Sequence, residues 1–135
     1  MISIPSNLID EIIDHSIQEN PNECCGILGG KNNQVKNVYQ IDNVVGSPTR
    51  YLMDPEQQLK ATLDLEDKGL EIIGFYHSHT NSEAYPSSTD VRLAVQSGWL
   101  DILYVLISVK DSEIKAFKIE PSGEIIEQDV IICED

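Results

Sequence analysis

The segment Glu71-Ile72-Ile73-Gly74-Phe75-Tyr76-His77-Ser78-His79 constrains the architecture more than any other stretch of the chain. Its apolar residues occupy both odd and even positions, so as a strand it is hydrophobic on both faces. Such a strand is stable only inside a sheet that is covered above and below. The surrounding segments supply the covers. Ser6 is placed to cap a helix with the stripe Leu8, Ile9, Ile12, Ile13 and Ile17, ending before Asn20-Pro21-Asn22. Asp54 caps a second helix with Pro55 in its first turn and Gln57 completing a capping box, and Gly69 follows its end. A third helix runs from about Ser88 to Ser97 with Gly98 as its stop.

The remaining apolar segments read as strands. Glu23 to Leu28 is one, stopped by Gly29-Gly30, and Lys31-Asn32-Asn33 turns the chain into another from Val35 to Asp42. Ile102 to Val109 is a buried strand, Ile114 to Ile119 alternates as an edge strand does, and Ile125 to Ile132 closes the sheet. The order α-β-β-α-β-α-β-β-β is not a strict βαβ alternation. It predicts a three-layer α/β domain over residues 1–135, a mixed sheet with helices on both faces. A chain of 135 residues can bury a core of that kind without staples.

The central strand ends in a pattern with chemistry in it. Successive side chains of a strand alternate in direction, so His77 and His79 project from one face and Ser78 from the other. Two imidazoles buried on one face are costly unless their nitrogens are satisfied, and a metal ion satisfies them. Asp90 shares a helical face with Leu93, Ala94 and Ser97 by its i, i+3, i+4, i+7 spacing. If Leu93 and Ala94 pack on the sheet, that carboxylate faces the sheet too, where it needs a cation. Two His and one Asp hold a zinc while leaving its fourth position open, which is the arrangement of a catalytic rather than a structural zinc.

Other candidates are less decided by the residues alone. Ser87-Ser88-Thr89-Asp90 is an S-x-x-D capping box, so Ser87 is either an ordinary N-cap or a hydroxyl that donates to a developing oxyanion. A hydrolytic zinc site also requires a proton shuttle. Glu23, which opens a strand beside a glycine-marked segment, is the candidate, although an exposed strand-end carboxylate is the ordinary reading among 23 acidic residues. His15 flanks the first helix's apolar stripe as a boundary residue, and Trp99 reads as core.

Charge and cysteines exclude several classes. A net charge of −14 is opposite to what nucleic acid or an anionic membrane surface attracts. Cys24 and Cys25 are adjacent, which is neither a CxxC redox site nor a zinc knuckle, and with Cys133 they make an odd count. They read as small buried apolar residues. The start Met1-Ile2-Ser3-Ile4-Pro5 lacks the basic and apolar regions of an export signal, and the run Ile102 to Val109 is too short to span a bilayer. These features point to the cytoplasm. A nucleobase deaminase would carry H-x-E and P-C-x-x-C, and neither occurs.

The run Glu23…His77-Ser78-His79-x7-Ser87-x2-Asp90 resembles, without gap or substitution, the signature of the JAMM (MPN-plus) metalloproteases. The resemblance extends through Asn22 to Leu28, Ser47 to Pro55 and Glu83 to Ser87, and covers essentially the whole chain. In these details the chain is similar to the short prokaryotic branch, which includes a peptidase releasing cysteine from a ubiquitin-like sulfur-carrier protein. The resemblance implies a cytidine-deaminase-like α/β fold and one Zn2+ per chain held by His77, His79 and Asp90. It implies Glu23 as general acid/base and Ser87 as the oxyanion donor. The expected substrate is a ubiquitin-like or sulfur-carrier protein, held by a flexible carboxyl-terminal tail laid beside a sheet edge, with the loop from Gly46 to Met53 as one wall and Arg50 as a contact for a carboxylate. Thr80 departs from the proline found after the second histidine in many relatives. The long insertions with which eukaryotic deubiquitinases of the family grip ubiquitin chains have no room here. The alternatives are a general deubiquitinase-like isopeptidase and a scaffolding MPN module without chemistry, and such modules typically lack the metal residues.

Overall fold

A computed structural model describes residues 1–99 and 101–134. In chain order the elements are β1 (Ile2–Pro5), α1 (Ser6–Glu19), β2 (Cys25–Lys31), β3 (Gln34–Ile41), α2 (Pro55–Asp67), β4 (Glu71–His79), α3 (Ser88–Ser97), β5 (Leu103–Ser108), β6 (Glu113–Ile119), β7 (Ile125–Gln128) and β8 (Val130–Cys133). The expected α/β architecture is present. All the strands join one mixed sheet in the order β7-β6-β5-β4-β2-β3-β1-β8. The doubly apolar segment is central, antiparallel to β2 and parallel to β5.

The ends of that order carry the main surprise. β7 and β8 lie at opposite edges of the sheet, yet only Asp129 separates them in sequence. The sheet therefore curls so that the chain passes from one edge to the other through Asp129, whose carbonyl accepts the Ile2 N–H at 2.9 Å as the first bond of the β1–β8 ladder. The segment Ile125 to Ile132, expected as one closing strand, is instead two, divided at Asp129 and placed on opposite edges. Ile114 to Ile119 is consequently not an edge strand, because β7 pairs along its outer side. β1, which sequence patterning overlooks, is the piece that β8 joins: Ile2 to Pro5 pair in parallel with Val130 to Cys133. Four residues are too few to display a period.

Each face has its own cover. Ile9 and Ile12 of α1 pack with Leu28, Tyr76 and Val105 on one side. Ala61 and Leu65 of α2 pack with Cys25, Ile27, Phe75 and Tyr104 on the other. Ile17 is exposed, so the stripe of α1 is narrower than its spacing indicated, and the N-cap position falls on Pro5 rather than Ser6. Gly29 and Gly30 do not stop β2 but lie within it. A Cβ on Gly29 would lie 2.1 Å from Leu65, so the missing side chain lets α2 approach the sheet. Gln57 does not complete a capping box on Asp54. Its amide instead exchanges two hydrogen bonds with Asp42, tying α2 to the end of β3, while Asp54 accepts from the Glu56 and Gln57 amides unaided.

Candidate active site

Strand alternation puts Phe75, His77 and His79 on the α2 face of β4, and Tyr76 and Ser78 on the α1 face. Tyr76 is fully buried and crosses Gly26, where a Cβ would meet the ring at 2.0 Å. His15 is not a boundary residue. It is buried against Tyr76, with Nδ1 2.7 Å from the phenol oxygen, so it stiffens the strand from behind.

On the working face, His77 Nε2 and His79 Nε2 lie 3.2 Å apart, and Asp90 Oδ2 lies 3.2 Å from the first and 3.0 Å from the second. Asp90 comes from the first turn of α3 and also accepts the Ser87 N–H at 2.9 Å, while Ser87 Oγ accepts the Asp90 N–H at 3.1 Å. The capping box is thus complete and its carboxylate reaches the imidazoles at once. The cap supplies the aim. By contrast Leu93, expected to pack on the sheet, is 46% exposed, and Trp99, expected in the core, is 42% exposed with its ring edge-on to Phe75. Both line a cavity instead.

These three side chains fit a divalent metal ion. Each offers one donor atom, and the donors lie within 4.8 Å of one another. Two imidazole nitrogens and a carboxylate oxygen packed this closely repel unless positive charge lies among them. His79 Nδ1 faces the Glu83 carbonyl at 2.9 Å and so carries the ring proton in a neutral imidazole, which leaves the Nε2 lone pair toward the cluster. His77 is buried and stacked on Tyr51 with ring centroids 4.5 Å apart, and its Nδ1 finds no hydrogen-bond partner among the described residues. Burial lowers the His77 pKa and so favours a neutral, ligating ring. For Asp90 burial acts upward, but the hydrogen bonds to both imidazoles outweigh it and hold the carboxyl well below its usual range. For His79 burial acts downward, and its bonds to Asp90 and the Glu83 carbonyl reverse the sign.

Glu23 lies just before β2 and is only 5% exposed, contrary to the ordinary reading of a solvated carboxylate. Burial pushes its carboxyl up to about 7, with the His79 ring opposing and the Asp90 charge reinforcing. Between pH 4.5 and 7 the folded chain therefore holds a proton that the unfolded chain has released, and stability falls as pH rises through that window. Glu23→Gln is expected to stabilise the metal-free protein by about 1–3 kcal/mol at pH 8 and by little at pH 4. Denaturant unfolding at the two pH values measures this, and equal effects at both would contradict it.

The loop between β3 and α2 surrounds these groups. Tyr51, Leu52 and Met53 join Phe75, Leu93 and Trp99 around an apolar cavity of about 210 Å³ that reaches Asp90. Gly46 and Asn43 line a more polar cavity on the Glu23 side. The Thr80 hydroxyl donates to the Pro48 carbonyl at 3.2 Å, tying the loop to the end of β4 by a bond that proline could not make. Arg50 is exposed. Cys24 and Cys25 are buried as expected, and burial pushes their thiols up to about 11 and about 12, which makes them inert. Asn43 is the site-proximal residue that sequence reasoning passed over. An isolated asparagine after a strand carries no pattern that could have marked it.

The chain also matches known proteins along most of its length. The family profile described as prokaryotic homologs of the JAB domain matches residues 5–120. The CysO-cysteine peptidase of Mycobacterium tuberculosis is 34% identical over 139 aligned residues, covering 99% of this chain and 92% of the relative. The desampylase of Pyrococcus furiosus is 34% identical over 110, covering 82% and 76%. Among solved structures, a protein of Desulfitobacterium hafniense superposes with a TM-score of 0.85 at 34% identity, covering 100% of this chain and 94% of that one. A JAB1/MPN domain protein of Archaeoglobus fulgidus shares the fold with a TM-score of 0.62 at 17% identity, covering 96% and 99%. A profile match over residues 5–120, with relatives a third identical along nearly the full length, assigns the chain to the prokaryotic JAB-domain family.

Proposed function

We propose that the chain is a metal-dependent peptidase of the JAMM type, a single catalytic domain that hydrolyses the bond following the carboxyl-terminal tail of a ubiquitin-like or sulfur-carrier protein. The observation that carries this reading is the convergence of His77, His79 and Asp90 beside a buried glutamate. The relatives support the substrate class, since they include a CysO-cysteine peptidase and a desampylase. We assign the metal as zinc because two imidazoles and one carboxylate with an open position are the donor set of catalytic zinc. When bound, it supplies Lewis acidity toward the scissile carbonyl and lowers the pKa of a coordinated water toward ~7.

The chain's residues divide the remaining work. The Glu23 carboxylate takes a proton from the attacking water and returns it to the leaving amine as the C–N bond breaks. The Ser87 oxygen already accepts from Asp90, which leaves its hydroxyl hydrogen to donate to the developing oxyanion. The Gly46–Met53 loop is one wall for the tail, and Arg50 is placed on it to meet a carboxylate of the substrate or released amino acid. The acidic surface turns nucleic acid away. Among the described residues no helix is long and apolar enough to cross a membrane. Three free cysteines fit a reducing compartment, so we place the enzyme in the cytoplasm.

The decisive experiment incubates carrier–cysteine adducts, and in parallel carrier–lysine isopeptide conjugates, with the zinc-loaded protein and follows intact mass. Loss of cysteine alone identifies an amino-acid-releasing peptidase, and cleavage of the conjugates an isopeptidase. No cleavage of either leaves the proposal without support. Thr80→Val keeps the side-chain shape but removes the tie to Pro48. It is expected to raise KM about two- to fivefold, the value of one hydrogen bond, with kcat little changed. Steady-state kinetics on the cleaved adduct would show it, and an unchanged KM would separate that tie from substrate binding.

A further inference from the structure

The amide of Asn43 spends its whole hydrogen-bonding capacity on the main chain. Its two N–H groups donate to the Glu23 carbonyl at 3.0 Å and the Arg50 carbonyl at 3.1 Å, and its oxygen accepts from Leu52 at 3.0 Å and Val45 at 3.3 Å. Two carbonyls on one side and two N–H groups on the other fix the orientation of the amide. Only the bond to Val45 belongs to an ordinary local turn. Those to Arg50 and Leu52 span the loop, and the one to Glu23 joins it to a segment before β2.

Glu23 needs such a hold because it lies outside the ladder. Cys24 stands opposite Ser78, where a regular antiparallel pair would exchange two main-chain bonds. Only Ser78 N–H to Cys24 O, at 3.1 Å, is made that way. The Cys24 N–H goes instead to the Ser78 hydroxyl at 2.8 Å, so the strands part at this residue and the preceding one turns off. The main-chain groups of Glu23 are then satisfied by the loop: its N–H donates to Ser47 O at 2.9 Å and its carbonyl accepts from Asn43. The isolated bridge between Asn43 and Met53 closes the same loop at its base.

We propose that Asn43 is a positioning residue that holds Glu23 and the loop from Val45 to Leu52 as one rigid unit, so that the wall receiving the tail also sets where the base stands. The inference rests on the reading of Glu23 as the base. Its energetic weight is indirect, since a displacement of the order of 1 Å at a reacting group costs about 100-fold in rate.

The test uses Asn43→Asp, which keeps both acceptor bonds to Val45 and Leu52 and turns the two donor bonds into repulsive contacts with carbonyls. In the zinc-loaded enzyme kcat should fall about 10- to 100-fold with zinc affinity unchanged. Combined with Glu23→Gln, the same change should produce no further loss. In the metal-free protein, amide exchange should quicken at Glu23 and Cys24 while Val45 and Leu52 stay protected. Asn43→Ser serves if the aspartate variant does not fold, with the same loss of kcat expected. Wild-type turnover of these variants, loss of zinc, or an equal fall in the Glu23→Gln background overturns the inference. Normal turnover by Glu23→Gln alone overturns the assignment of the base, and this inference with it.

Discussion

Glu23→Gln is expected to retain stoichiometric zinc and to lose about 10²- to 10⁴-fold in kcat, the usual worth of a positioned general base. The substitution preserves shape and removes only the ability to take and return a proton. Glu23 contributes no atom to the His77, His79 and Asp90 cluster, so metal content should not change. Its buried position, which raises the carboxyl to about 7, suits a group that must hold a proton briefly near neutrality. Metal analysis beside steady-state kinetics decides the matter. A variant that cleaves a tail substrate normally would show that the proton moves elsewhere, and a variant that loses zinc would show Glu23 to be part of the metal site.

Asp90→Ala should leave the protein with zinc well below one equivalent and no measurable turnover, as should His77→Ala. Asp90 both faces the two imidazoles and accepts the Ser87 N–H, however, and the alanine removes both contacts. Losing its bond to the Ser87 N–H is expected to cost about 0.5–1.5 kcal/mol of stability in addition. Asp90→Asn separates them, because its side-chain oxygen can still accept the Ser87 N–H while the anionic donor is gone. That variant should melt near wild type in the metal-free state and still bind zinc poorly. Chelation of the wild type should likewise abolish turnover without unfolding, since the two large core clusters are built from aliphatic and aromatic contacts to α1 and α2. A large fall in melting temperature on chelation would make the metal structural and undo the argument for an open coordination position.

The same residues show how far local reading reaches. His77 and His79 were legible because alternation follows from the extended backbone of a strand alone, and Asp90 because a capping box and a helical face can both be counted along a sequence. The doubly apolar β4 announced a covered sheet for the same reason. Trp99 and Leu93 misled, since apolar character marks a core residue and a cavity wall alike. His15 misled the other way: the phenol that accepts its burial lies 61 residues on, in β4. Glu23 stood out among 23 acidic residues only through resemblance to a family, because nothing in its neighbours states that Asn43 and Ser47 will bind its main chain and that its side chain will be buried.

Periodicity, capping and ligand spacing act over a few residues, and they were enough to name the three helices, most of the strands, the three clustered side chains and the end of the sheet where they meet. The curling of the sheet through Asp129, the withdrawal of Glu23 from water and the loop that holds it depend on contacts between distant segments. Their energies exist only once the chain has closed on itself, so no run of residues carries them in advance.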